Sequence, residues 1–218
     1  MAKLPERLGR LSEAAYIKFE KNDEEYAKLA VRVQELGYSL LSTYDEKGTQ
    51  AILCKATVAL GGMVLAIRGT EKNKTDILTD LRVKFYGGTH RGFRKAWGHI
   101  ESAVANDIKE YRRTDRRGQT LVVCGHSLGG AISIIAGESL EADLVMTFGC
   151  PRVHSSEVRL KIPVIRHQHG WDIVPFVPLA LMGYKHVGNR VQIGTRSWIP
   201  RPLKDHSIAR YIKVLSRL

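Results

Sequence analysis

Acidic residues, cysteines and long apolar runs are all in short supply in this chain, and each shortage removes a class of protein. Asp and Glu number 22 against 34 Lys and Arg, leaving a formal net charge of +12. The excess favours anionic surfaces or substrates, but the cations are scattered along the chain. Net charge of this kind speaks to solubility and nonspecific binding before it speaks to a dedicated anion site. There are three cysteines, Cys54, Cys124 and Cys150. Their odd number argues against a complete disulfide framework, and their spacing fits no metal site. Cys54 and Cys124 lie in apolar strand-like runs and read as small buried hydrophobes. No stretch approaches the roughly 18 uninterrupted apolar residues of a membrane span. The opening MAKLPERLGRL carries no apolar segment of the signal-peptide kind, so a cytoplasmic protein, or one released without a cleaved signal peptide, is expected.

What is present is a sequence of ordinary globular composition, 44% hydrophobic and 26% charged over 218 residues. No repeat, low-complexity tract or linker divides it, so a single domain over residues 1–218 is expected. A helix capped by Asp23, with Tyr26, Leu29, Ala30 and Val33 on one stripe and Gly37 as its stop, opens the ordered pattern. TQAILCKATVAL and MVLAIRG follow as two strands around Gly61-Gly62, a hairpin signal. A long helix from about Arg91 to Arg112 buries Phe93, Ala96, Trp97, Ile100, Val104, Ile108 and Tyr111. Three further strands, TLVVCG, DLVMTFG and KIPVIRHQ, precede a Pro-rich loop. NRVQIG and a last helix starting near Asp205 complete the chain, with Ile208, Tyr211, Ile212 and Leu215 on one face. Short apolar strands alternating with helices predict an α/β fold, a mainly parallel sheet with helices on both faces.

The chemistry begins at Gly125-His126-Ser127-Leu128-Gly129. As a bare G-x-S-x-G this is a weak signal, but here an apolar strand must turn directly into an apolar helix. That is the context of a nucleophile elbow, in which the two glycines clear space where strand and helix crowd each other. The alternative is a glycine-rich helix start with Ser127 as a cap, perched over phosphate; no lysine follows to make a phosphate loop.

A serine nucleophile needs a histidine base, and the base needs a carboxylate to set its tautomer. Among the downstream acids only Asp172 stands just past the end of a core strand, where α/β folds place their ligands; a turn role is the alternative. Of the later histidines, His206 sits at the mouth of the last helix and can reach Ser127. His186 lies beside Tyr184 before a strand and reads as a local packing residue, and Asp205 reads as an N-cap. Oxyanion donors are expected from the backbone of Leu128 and from the Arg68-Gly69-Thr70 loop, with Thr70 offering an N–H and a hydroxyl. Between Glu71 and Tyr86, the apolar residues Ile77, Leu78 and Leu81 suit either a lid or a surface helix packed on the core.

AIRGT, TDL, THRGF, VCGHSLGGA, TFGCPRV, WDIVPFVP, YKHVG and DHSIARY occur in this order between about Ser12 and Tyr211. In these motifs the chain resembles the fungal-type, class 3 triacylglycerol lipases of the α/β-hydrolase superfamily. The resemblance implies a Ser127–Asp172–His206 triad, an oxyanion hole from Thr70 and Leu128, and a lid within Glu71 to Tyr86. It implies hydrolysis of acylglycerol esters through an acyl-enzyme, with phospholipase A1-type or feruloyl-ester hydrolysis as variants. No metal or organic cofactor is expected, because side chains supply base, acid and oxyanion donors. The expected partners are an ester or lipid substrate and transient contact with a lipid interface; no specific nucleic acid is expected. A reading of a different class is an idle hydrolase fold serving as a basic binding module for membranes or nucleic acid.

Overall fold

The computed structural model describes residues 2–57, 62–69, 91–115, 119–154, 160–196 and 198–218. Within them, one seven-stranded sheet runs in sequence order: β1 (Tyr38–Glu46), β2 (Thr49–Ala56), β3 (Met63–Ile67), β4 (Leu121–His126), β5 (Leu144–Phe148), β6 (Val164–His169) and β7 (Asn189–Ile193). The first three strands form an antiparallel meander, and Ala51 pairs with Ile67 across the anticipated hairpin. From β3 to β7 every neighbouring pair is parallel. The α/β expectation is met. Strand β1 was not anticipated, because YSLLSTYDE carries polar residues on both faces of an edge strand.

Helices α1 (Leu4–Ala14), α2 (Asp23–Glu35), α3 (Arg91–Thr114), α4 (Leu128–Ser139), α5 (Pro202–Asp205) and α6 (Ile208–Leu215) flank the sheet. Strands in consecutive order, joined by right-handed crossovers, must carry the crossover helices on one face. Accordingly Trp97, Ile100 and Val104 of α3 and Ala131 and Ile135 of α4 share a core with Leu53, Leu65 and Leu121. The opposite face would be naked without the chain ends. Leu8 and Leu11 of α1, Leu29 of α2 and Tyr211 of α6 pack there on Ile52, Val64, Ala66 and Cys124. Helix α4, buried on nearly every side from Gly129 to Gly137, is apolar all round because it lies between α3 and the sheet. Burial pushes the Cys124 and Cys150 thiols up to about 12, which makes them inert small hydrophobes at neutral pH.

Two local expectations need correction. The cap of α2 is Asn22, whose side chain accepts the Glu25 N–H; Asp23 stands inside the first turn, where it and Glu24 and Glu25 complement the helix dipole. Gly37 does end the helix, at φ +82. The C-terminal helix does not begin near Asp205. The chain makes the short turn α5, breaks at His206 and Ser207, and resumes at Ile208. Asp205 is not a cap: its carboxylate accepts the Trp171 N–H at 2.9 Å and a bond from Arg210 at 3.0 Å.

Buried neutral histidines make the fold acid-sensitive. Burial lowers His167 to about 4 and His186 to about 3. The unfolded chain, with histidines near 6.5, then binds more protons than the native one, so their contribution is complete above that value and is lost as pH falls towards 4. Melting temperature is expected to drop as pH falls from about 6.5 to 4, and His186→Asn is expected to flatten that slope. Differential scanning across this range checks it; a flat wild-type profile contradicts it.

Candidate active site

The candidate nucleophile, acid and base all emerge from the carboxyl edge of the parallel strands. Ser127 follows β4, Asp172 follows β6, and His206 follows β7 by way of α5. That edge is where open α/β sheets present ligand sites.

The elbow is built by what its glycines lack. A Cβ on Gly125 would stand 2.5 Å from the Gly129 carbonyl carbon, and one on Gly129 would stand 2.2 Å from the Ile67 carbonyl oxygen. Strand β4 therefore runs straight into α4, and the N-terminus of α4 is pressed against the end of β3. Ser127 takes φ 57, ψ −126, a conformation that non-glycine residues adopt only when their surroundings impose it. Its N–H is held by the Phe148 carbonyl at 2.9 Å. Its side chain makes no cap on α4, so the capping alternative fails.

Instead, Ser127 Oγ lies 2.9 Å from His206 Nε2. His206 Nδ1 lies 2.9 Å and 3.0 Å from the two Asp172 carboxylate oxygens. A carboxylate has no proton to give, so Nδ1 donates, and Nε2 is left bare to accept the serine proton. The three residues are 1%, 0% and 5% exposed for Ser127, Asp172 and His206. The Leu128 N–H opens α4 and so has no intrahelical acceptor, as an oxyanion donor requires.

Asp172 is fixed from two further sides. It accepts the Val174 N–H at 2.9 Å and the Tyr211 hydroxyl at 2.5 Å, while Tyr211 accepts the His169 N–H at 3.1 Å. Burial and the adjacent carboxylate push the Tyr211 hydroxyl well above its ordinary pKa, so it remains a donor. By its spacing alone Tyr211 reads as one more apolar-face residue. Its hydroxyl was the available signal, since a fully buried tyrosine normally finds a polar partner. Asp205 does comparable work: it ties the Trp171 turn to the segment carrying His206.

Gly149 was also missed. It ends β5 at φ +60, and a Cβ there would stand 2.6 Å from Asp172 Oδ2 and 2.9 Å from His206 Nδ1. Gly149→Ala is expected to cost about 1–2 kcal/mol in backbone strain and, by displacing the pair, more than about 100-fold in kcat. Parallel measurements of melting and ester turnover test this; retained turnover contradicts it.

His186 is not in the cluster. Its Nε2 bonds the Pro175 carbonyl at 2.7 Å, as its local reading anticipated. Thr70 and the lid candidates Ile77, Leu78 and Leu81 lie outside the described residues. Arg68 and Gly69 are described, and the contact between Ile67 and Gly129 brings their loop beside the elbow. Among the described residues, no group of three or more His, Cys, Asp or Glu side chains could hold a metal ion.

An elbow serine, a buried carboxylate–imidazole pair and a sheet of this order define a serine hydrolase architecture, and comparison with known proteins narrows it. The chain belongs to the class 3 lipase family, whose pattern matches residues 64–182, more than half its length. It is 28% identical over 158 residues to the secreted mono- and diacylglycerol lipase MDL4 of Malassezia globosa, covering 61% of this chain and 52% of that protein. It is 32% identical over 108 residues to the secreted mono- and diacylglycerol lipase 1 of Fusarium solani, covering 45% of this chain and 32% of the relative. The chain thus spans about half the length of the first relative and about a third of the second. Among solved structures, a Rhizomucor miehei lipase in complex with its propeptide superposes with a TM-score of 0.72 at 19% identity, over 86% of this chain and 65% of the other. That likeness bears on the fold.

One expectation is overturned here. The opening residues suggested a cytoplasmic protein or release without a cleaved signal, whereas both curated relatives are secreted proteins. The composition of those residues is a poor guide, because a chain matching part of its relatives does not report their targeting. Among the described residues, no helix is long and apolar enough to cross a membrane.

Proposed function

We propose that the protein is a carboxylic ester hydrolase acting on acylglycerols, with Ser127 as nucleophile, His206 as general base and acid, and Asp172 as the base's orienting carboxylate. The observation that carries this reading is the continuous chain from Ser127 Oγ through His206 to Asp172, each link near 2.9 Å.

In the first half-reaction His206 Nε2 takes the Ser127 proton as Oγ bonds to the ester carbonyl carbon. The carbonyl oxygen becomes an oxyanion, facing the Leu128 N–H and the loop after β3, where Thr70 is the proposed second donor. Collapse breaks the bond to the alcohol oxygen, which takes the proton from His206 and leaves. Water then gives a proton to His206 and attacks the acyl carbon; collapse returns that proton to Ser127 Oγ and frees the acid. Asp172 stays ionised and stabilises the transient imidazolium.

The rim of this edge supports a lipid substrate. Ile173, Phe176, Leu179 and Leu181 follow β6, Trp198 and Ile199 follow β7, and all are exposed, Leu181 and Trp198 each at 96%. From residue 160 onward the acidic side chains are Asp172 and Asp205, both buried, while Lys185, Arg190, Arg196, Arg201 and Lys204 are exposed. Apolar side chains among exposed cations suit an ester presented at an anionic lipid surface. A rate series on glycerol esters of rising chain length, below and above their solubility limits, tests the reading. A jump above the limit is expected; no turnover of any ester contradicts the assignment and favours the idle binding module.

A further inference from the structure

One buried polar residue in the site has no part in the reaction sequence above. His126 precedes the nucleophile, is 6% exposed, and has its ring 4.6 Å from the His206 ring with the planes 32° apart. Its Nε2 lies 2.7 Å from the backbone carbonyl oxygen of His206, and its Nδ1 lies 2.9 Å from the Tyr16 hydroxyl.

The chemistry of these partners fixes the ring's state. A carbonyl oxygen can only accept, so Nε2 carries the proton; in a neutral ring Nδ1 is then bare and accepts from Tyr16. Burial first, and His206 second, hold His126 well below the usual histidine range, which keeps the ring neutral. The surroundings leave it little room. A Cβ on Gly69 would stand 2.2 Å from the Tyr16 hydroxyl and 2.7 Å from the His126 carbonyl oxygen, so the loop after β3 is packed on the same pair.

We propose that His126, braced by Tyr16, is a positioning residue that pins the backbone of the base. The His206 side chain is aimed by Asp172, while its peptide sits in the break between α5 and α6, held along the backbone by one turn bond from the Ser207 N–H to the Lys204 carbonyl at 3.2 Å. The His126 bond ties that peptide to the end of β4, one residue from the nucleophile. Base and nucleophile therefore move as one unit, referenced to the sheet, and the N-terminal segment carrying Tyr16 completes the brace. The kinetic form of this inference rests on the hydrolase reading; its geometry does not.

Four variants test it on a soluble short-chain p-nitrophenyl ester. His126→Leu is expected to lose kcat on the order of 10- to 100-fold with KM little changed, because the base is displaced while the substrate still binds. His126→Gln, which keeps an N–H near the place of Nε2, is expected to recover most of that loss. Tyr16→Phe, which removes one oxygen and tests the brace even if His126→Leu fails to fold, is expected to lose severalfold. The double variant Tyr16→Phe/His126→Leu is expected to match His126→Leu alone, since Tyr16 acts through the ring. Full kcat in His126→Leu, no recovery in His126→Gln, or additive losses in the double variant would overturn the proposal. Imidazole 15N NMR of Ser127→Ala decides the geometry without turnover. A protonated Nε2 and bare Nδ1 on His126 at neutral pH support the brace, and the opposite tautomer refutes it. If the wild type cleaves no ester, the hydrolase reading fails, and the NMR result still judges the brace.

Discussion

Replacing Ser127 by alanine is expected to lower kcat on a soluble ester by about 10⁶-fold, leaving only what oxyanion donors and substrate binding contribute. The size of the effect follows from the way the elbow is built. Gly125 and Gly129 let strand and helix meet, Ser127 accepts a strained backbone, and its hydroxyl is spent on His206 and not on capping α4. The substitution removes one oxygen without touching either glycine contact, so melting temperature is expected to change little. Steady-state kinetics with burst analysis checks this: the wild type shows an acyl-enzyme burst where deacylation limits, and the variant shows none. A variant that retains even a hundredth of the wild-type kcat would place the nucleophile elsewhere.

Asp172→Asn is the second large effect, expected to reduce kcat by roughly 10⁴-fold with the fold intact. Asp172 accepts three kinds of donor at once: His206 Nδ1, the Tyr211 hydroxyl and the Val174 N–H. An amide has one oxygen to offer in place of two. Tyr211 and Val174 both donate and compete for that oxygen, so the amide nitrogen turns towards His206 and favours the tautomer protonated on Nε2. That imidazole can no longer take the serine proton. Tyr211→Phe is expected to cost far less, because it removes one of three supports and leaves the carboxylate charge in place. A rate ratio between the two variants near one would show that the pair is aligned by something other than these bonds.

The residues of the proposed triad were legible in the sequence because each reports its place locally. Ser127 lies in a strand-to-helix motif, Asp172 just past a strand, and His206 before the last amphipathic helix; the structure brings them together as the reading required. The residues that support them were not legible, for a common physical reason. Tyr211 looks like a core residue because its ring is one; only the fold reveals that its hydroxyl ends on Asp172. Gly149 reads as a strand terminator, and the imidazole and carboxylate above it come from segments far along the chain. Asp205 had the composition of an N-cap, but the turn it stabilises begins at Trp171, which competes for the same carboxylate and wins. Strand β1 was missed for want of an alternating pattern, and Asn22 lost out to Asp23 because two adjacent residues share the same capping chemistry.

The central claim is that a single imidazole, held by Asp172, makes the Ser127 hydroxyl nucleophilic. Treating the folded protein with a fluorophosphonate and locating the adduct by peptide mass spectrometry tests this most directly. One adduct on Ser127, absent from Ser127→Ala and formed far more slowly in His206→Ala, is the result expected. No adduct on the folded protein, or an adduct on another side chain, would contradict it.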